Sequence, residues 1–203
     1  MAAVPTKGNL IAAKKSLELS KVGYELLDRK RNILIREMMS YIDAASQLQG
    51  QVDQTYASAY AALMRTNTTM GNCAEIALAL PVDDSLSISF RSVMGVELPT
   101  VTLDQQPQGR MPFGLYSSTS MLDEAYLRFM EVKRLTVRLS EVENSVYRLA
   151  DAIKKTQKRA NALKNILIPR FEEEVRFITD ALDEKEREEF ARLKIIKNMS
   201  EAK

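Results

Sequence analysis

The sequence predicts a mostly all-α fold: a long antiparallel two-helix coiled coil built from the N- and C-terminal helices, with a small central β-hairpin and loop insert. Three observations predict it. From Leu10, apolar or small residues return at alternating steps of three and four: Leu10, Ala13, Leu17, Ser20, Tyr24, Leu27, Arg31, Leu34, Met38, Tyr41, Ala45, Leu48, Val52, Thr55, Ala59 and Ala62. Only Arg31 among them is charged. The same spacing gives Leu135, Leu139, Val142, Val146, Leu149, Ile153, Thr156, Ala160, Leu163 and Leu167. Between them the period changes to two, with Leu86, Ile88 and Phe90 alternating with Ser85, Ser87 and Ser89. A period of 3.5 keeps one narrow stripe facing a partner helix. A period of two marks a strand.

These breaks divide the 203 residues into 1–80, the first helix; 81–119, the insert; and 120–203, the second helix. The first helix starts after Pro5, with Thr6 as its cap. Lys14 with Glu18, Lys21 with Glu25, and Glu25 with Arg29 stand four apart on its outer face. Such pairs each add about 0.2–0.5 kcal/mol. Gly23, beside Tyr24, reads as a point of close backbone approach to the partner helix, with a bend as the alternative. Gly71-Asn72 is a helix stop. A short apolar helix, 73–80, is expected before Pro81.

In the insert, Val96, Leu98, Val101 and Leu103 form the return strand after Gly95. Pro99 limits it to an edge strand or a broken one. Two strands alone are marginal in water, so the hairpin must lie on the helices or on another subunit. Residues 105–114, with two prolines and two glycines, read as loop.

The second helix starts at Ser117-Ser118-Thr119-Ser120, where Ser120 and Asp123 resemble a capping box. Pro169 interrupts it, freeing the carbonyl of Asn165 and kinking the helix. Beyond it the register slips, to Phe171, Val175, Ile178 and Leu182, then Phe190, Leu193 and Ile196. This helix is the longer one, and its final turns are expected either to project past the first helix or to pack inside a partner.

The charges exclude several function classes. Lys and Arg number 29 against 27 Asp and Glu, so no net field draws the chain to nucleic acid or membrane. No apolar stretch is long enough to span a bilayer, and no signal peptide is expected. The single Cys73 cannot form an intramolecular disulfide and reads as a small core residue. Histidine, the commonest neutral-pH acid/base and metal ligand, is absent. The seven glycines make no phosphate-cradling loop. The expectation is no catalytic residue, no metal and no cofactor. The basic stripe Lys154, Lys155, Lys158 and Arg159 lacks interleaved aromatics and reads as a solvated or protein-facing surface. What remains is mechanical: a spacer, lever or shaft.

At this point the residues go beyond periodicity. Pro5-Thr6-Lys7, Leu10, Lys14, Leu17, Gly23, Leu26-Leu27, Lys30-Arg31 and Leu34 resemble the opening of the D subunit of V-type and archaeal A-type ATPases. Met94-Gly95-Val96-Glu97-Leu98-Pro99 is similar to that family's central signature, and Leu122-Asp123-Glu124-Ala125 to its second-helix start. The closing run matches in order: Thr156, Lys158-Arg159, Asn161-Ala162-Leu163, Ile168-Pro169, Glu184 to Phe190, and Arg192-Leu193-Lys194.

The resemblance implies a non-catalytic subunit, the central stalk or rotor shaft of a rotary ATPase. The shaft couples ATP hydrolysis or synthesis in the soluble head to transport of H+ or Na+. Implied partners are the hexamer of catalytic (A) and regulatory (B) subunits, the small F subunit, and the funnel-shaped subunit linking to the membrane ring. The implied location is cytoplasmic, peripheral to the plasma membrane through the complex. Candidate ring contacts are Lys14, Lys15, Lys154, Lys155, Lys158, Arg159, Glu186, Arg187, Glu188 and Arg192. Candidate foot contacts, toward the small partner, are Met94, Gly95, Val96 and Leu98. A helical-hairpin adaptor or prefoldin-like chaperone is the alternative, since it too joins long helices through β-hairpins.

Overall fold

A computed structural model describes residues 4–78, 84–103, 113–114 and 118–201. The elements are α1 (Lys7–Met70), α2 (Ala74–Leu78), β1 (Leu86–Val93), β2 (Val96–Leu103), α3 (Ser120–Ala162), a π-helical turn (Leu163–Leu167) and α4 (Ile168–Glu201). The predicted fold class is thus observed. The expected loop at 105–114 and the end of the short helix at 79–80 fall mostly outside the described residues.

Helix α1 begins where Thr6 can cap it. The Asn9 amide donates to Thr6 Oγ1 at 3.2 Å, and the Leu10 amide to the Thr6 carbonyl at 3.0 Å. It ends at Gly71, whose φ of 80° reverses the chain and whose amide still donates to the Asn67 carbonyl. Asn72 then caps α2 by accepting from the Ala74 amide at 3.0 Å. Cys73 is half-buried rather than a core residue. At α3 the cap lies one residue earlier than expected. The Thr119 carbonyl accepts from the Leu122 and Asp123 amides, and Asp123 Oδ1 is buried with no partner among the described residues, so the Ser120–Asp123 box does not form.

All sixteen predicted stripe residues of α1 and all ten of the second stripe are buried or half-buried. The 3.5-residue spacing therefore marks the covered face along both helices. The chain forms two compact units.

The first unit combines the chain up to Asn32 with residues from Lys154 on. Its helical segments run antiparallel: Lys7 meets Glu186, Lys21 meets Glu172, and Arg31 meets Gln157. Ala13, Thr156, Ala160 and Ile178 are its buried residues among those described. Arg31, the one charge in the stripe, donates to Gln157 Oε1 at 2.8 Å and pairs with Asp28 at 2.7 Å, so its charge is satisfied. Lys21 reaches across to Glu172 at 2.7 Å instead of pairing along its own helix with Glu25. A Cβ at Gly23 would meet Leu163 Cδ1 at 3.8 Å, an ordinary contact. Close approach therefore does not explain this glycine, contrary to the sequence expectation. The break before Pro169 is the π-turn, in which the Ile168 amide donates to the Leu163 carbonyl five residues back. The wider turn admits the proline ring and adds one residue, which accounts for the register slip.

The second unit, Ile33–Ile153, contains a second antiparallel helix pair and the hairpin. Tyr56 meets Thr136, Tyr60 packs edge-on against Phe129, and Thr66 Oγ1 reaches the Met121 carbonyl at 3.0 Å. Strands β1 and β2 are antiparallel, with Ile88 opposite Val101 and Arg91 opposite Leu98. Met94 (φ 51°) and Gly95 (φ 76°) form the two-residue turn, both left-handed as a tight hairpin of this type requires. The hairpin lies on its own helices, with Leu98 in one buried cluster with Leu34 and Leu149. The docked face at the turn end is that of Leu98, Val93 and Val96. The Leu86, Ile88 and Phe90 face, which carried the period-two signal, is exposed.

Candidate functional site

Among the described residues, no group of acidic, histidine or cysteine side chains could hold a metal ion, and no helix is long and apolar enough to cross a membrane.

In the first unit, Lys14 and Lys15 lie on the exposed side of α1. Lys154, Lys155, Lys158 and Arg159 are likewise exposed, because the intervening Thr156 and Ala160 take the inward positions. The i, i+4 geometry brings Lys154 and Lys158 onto one face, and Lys155 and Arg159 onto the next. Sequence reading overlooked what lies beside Lys15. Ile11, Lys15, Leu19, Val22 and Leu26 recur at steps of four, four, three and four, and every one is exposed. This second line runs along the outer side of α1, away from the packed stripe. Its spacing was legible, but a search for the covered face passes over it.

Farther along, Glu186, Arg187, Glu188 and Arg192 are all exposed on α4. Glu186 pairs with Lys7 at 3.1 Å, and Arg192 lies 3.6 Å from Glu188. Lys7 is the first residue of α1. Beyond its partner Glu186, α4 continues to Glu201 with no helix beside it among the described residues. These fifteen residues span about 22 Å at 1.5 Å per residue. Phe190 is 72% exposed and Leu193 64%, with Ile195, Ile196 and Met199 similarly open. An isolated helix of this length is marginal in water. An apolar, unpartnered helical end calls for an enclosing surface.

In the second unit, the turn residues Met94 and Gly95 are exposed and Val96 is half-buried. Leu98 differs from its expected surface role. It is 1% exposed and anchors the hairpin. Three polar clasps assist it. Arg91 donates to Glu37 Oε1 at 2.8 Å and to the Tyr41 hydroxyl at 3.0 Å. Tyr41 foremost raises the Arg91 pKa above its ordinary value, with desolvation opposing and Glu37 adding to the rise. Arg148 donates to the Glu97 carbonyl at 3.0 Å and lies over the Phe90 ring. Glu141 accepts from the Val101 amide at 3.2 Å. The exposed hairpin face borders an open cavity of about 730 Å³, floored by Tyr60, Phe129 and Val132. Apolar walls of this kind suit a protein partner or a small apolar ligand.

Residues 9–198 match the family model for the D subunit of ATP synthase. The chain is 42% identical over 199 residues to the V-type ATP synthase D subunit of Thermotoga neapolitana, covering 97% of this chain and 98% of that protein. It is 36% identical over 203 residues to the A-type ATP synthase D subunit of Thermococcus kodakarensis, covering 98% and 95%. The A-type ATP synthase D subunit of Pyrococcus horikoshii is also 36% identical, at the same coverage.

Proposed function

The chain belongs to the family of ATP synthase D subunits, and from that premise we propose that it is the central stalk of a V-type/A-type rotary ATPase. In this reading it is a non-catalytic rotor shaft, and nucleotide chemistry stays in the surrounding ring. The shaft turns as ATP is hydrolysed, or is turned by ion flow so that ATP is made. The coupling ion, H+ or Na+, is selected in the membrane subunits. The family membership sets aside the adaptor and chaperone alternative.

The observation that carries the shaft reading is the bare apolar end of α4. A ring with a central cavity supplies the enclosure that Phe190, Leu193 and Ile196 need. Mechanically, two antiparallel helices in cross-section have no threefold symmetry. Catalytic sites spaced around them therefore meet different faces at one moment and hold nucleotide with different affinities. The exposed basic side chains Lys14, Lys15, Lys154, Lys155, Lys158 and Arg159 act at long range on acidic loops of the ring. Glu186, Arg187, Glu188 and Arg192 act in the same way nearer the tip. Charge contacts of this type hold position without interdigitation, which suits a surface that must slide.

The partners in this reading are the hexamer of catalytic and regulatory subunits, the small F subunit on the foot, and the funnel-shaped subunit below. The complex is peripheral to the membrane on its cytoplasmic side. Residues 1–80 and 120–203 supply the shaft and 81–119 the foot insert. At the foot, Met94, Gly95 and Val96 are accessible to a partner, while Leu98 holds the turn in place. The test is reconstitution with ring subunits using the triple variant Phe190→Ser, Leu193→Ser and Ile196→Ser. The expected result is loss of ring binding by at least about tenfold, or roughly 1.4 kcal/mol. Unchanged binding would remove the enclosure argument.

A further inference from the structure

The geometry points to a bending and twisting hinge within the first unit, formed where two soft points face each other across the helix pair. One is Gly23 in α1, and the other is the π-turn Leu163–Leu167 with Pro169 behind it. The two are in register, since a Cβ placed on Gly23 would touch Leu163 Cδ1 at 3.8 Å, and Lys164 Nζ lies 5.8 Å from the Tyr24 ring centroid.

Three independent features coincide at this level. A side chain at Gly23 has room, so space does not select glycine there; what glycine supplies is backbone freedom. The π-turn exchanges the regular i to i−4 ladder for the Ile168-to-Leu163 bond, and Pro169 has no amide to offer the Asn165 carbonyl. The packing here is also light. No side chain from Lys14 to Asn32 is buried, and none from Asn161 to Phe177. The buried residues of the unit, Ala13 and Ile178 on one side and Thr156 and Ala160 on the other, bracket the joint. Either soft point alone would be braced by a regular helix opposite. Facing each other, neither braces the other, so bending and twisting concentrate at one level.

The hinge is a property of this chain alone. Its consequence for a turning shaft, a compliant joint that stores twist between the tip and the remainder of the unit, rests on the function proposed above. The test therefore reads the hinge without any ring subunit. Backbone hydrogen exchange is measured on the full chain and on two variants. One is Gly23→Ala. The other deletes Ile166 and carries Pro169→Ala, which restores a regular helix with the downstream face unmoved. In the unaltered chain, amides 20–26 and 163–168 are expected to exchange about tenfold faster than amides 27–31 and 156–160. Gly23→Ala is expected to slow exchange severalfold on its own helix and also at 163–168 on the facing one. The deletion variant is expected to slow amides 20–26 in return. Equal protection across these segments, or slowing confined to the substituted helix, would overturn the hinge.

Discussion

Lys7 and Glu186 form an ion pair at 3.1 Å that joins the first turn of α1 to α4 and marks where the helix pair ends. Both side chains are mostly exposed, so the pair is a marker of register more than a source of stability. Exposed pairs contribute about 0–1 kcal/mol and weaken with salt. Lys7→Ala is therefore expected to shift the urea midpoint by no more than about 0.5 kcal/mol equivalent. A larger loss would mean that the register of α4 depends on this contact.

Beyond Glu186, the exposed apolar residues of α4 contribute little to the isolated chain. Replacing Phe190, Leu193 and Ile196 with serine is expected to leave its unfolding midpoint nearly unchanged, because none of these side chains is buried. Thermal unfolding followed by circular dichroism would check it. A loss of more than about 2 kcal/mol would place these side chains in an internal core.

Leu98 is the opposite case. Truncation to alanine opens a cavity between Leu34 and Leu149 and is expected to cost about 2–4 kcal/mol. The accompanying sign is faster exchange of the β1–β2 amides. At the turn, Met94 holds a φ of 51°, where a side chain is strained. Met94→Gly is expected to relieve about 0.5–1 kcal/mol, read as an upward shift in the denaturant midpoint. Leu98→Ala without effect would mean that the polar clasps alone hold the hairpin.

Ser145 is fully buried on α3, and its hydroxyl has no hydrogen-bond partner among the described residues. An unpaired buried hydroxyl costs about 1–3 kcal/mol. Ser145→Ala is expected to stabilise the chain by roughly 1 kcal/mol. Destabilisation on urea titration would indicate that a bound water serves the hydroxyl.

The Arg91 clasp is expected to be insensitive to pH near neutrality. Its folded pKa is raised above the already high ordinary value of a guanidinium. A raised pKa gives stability that is complete below the unfolded value and is lost only as pH rises through the folded one. Hairpin amide protection, once corrected for the intrinsic exchange rate, is therefore expected to stay flat between pH about 6 and 9. A step within that window would implicate a different group.

The legibility of the sequence followed the strength of each periodic signal. A stripe repeated over sixteen positions names the covered face of α1 without ambiguity, and Thr6 and Gly71 mark its ends because capping is local chemistry. The hairpin was legible as two strands, but its docked face was not. Leu86, Ile88 and Phe90 alternate cleanly, whereas the docked face mixes Arg91 with Leu98 and hides its apolar character. Pairing of Lys21 with Glu172 overrode the local rule for Lys21 and Glu25, because a facing helix brought a carboxylate nearer. The π-turn has no sequence pattern of its own; Pro169 indicated a break but not its form. The candidate contacts were read by charge, which left the apolar line from Ile11 to Leu26 unseen.

The most direct test of the shaft account is co-purification from native membranes, read by native mass spectrometry. The account predicts recovery of one copy of this chain per ring of nucleotide-binding subunits. Recovery of the chain alone, or as an oligomer of itself, would contradict it.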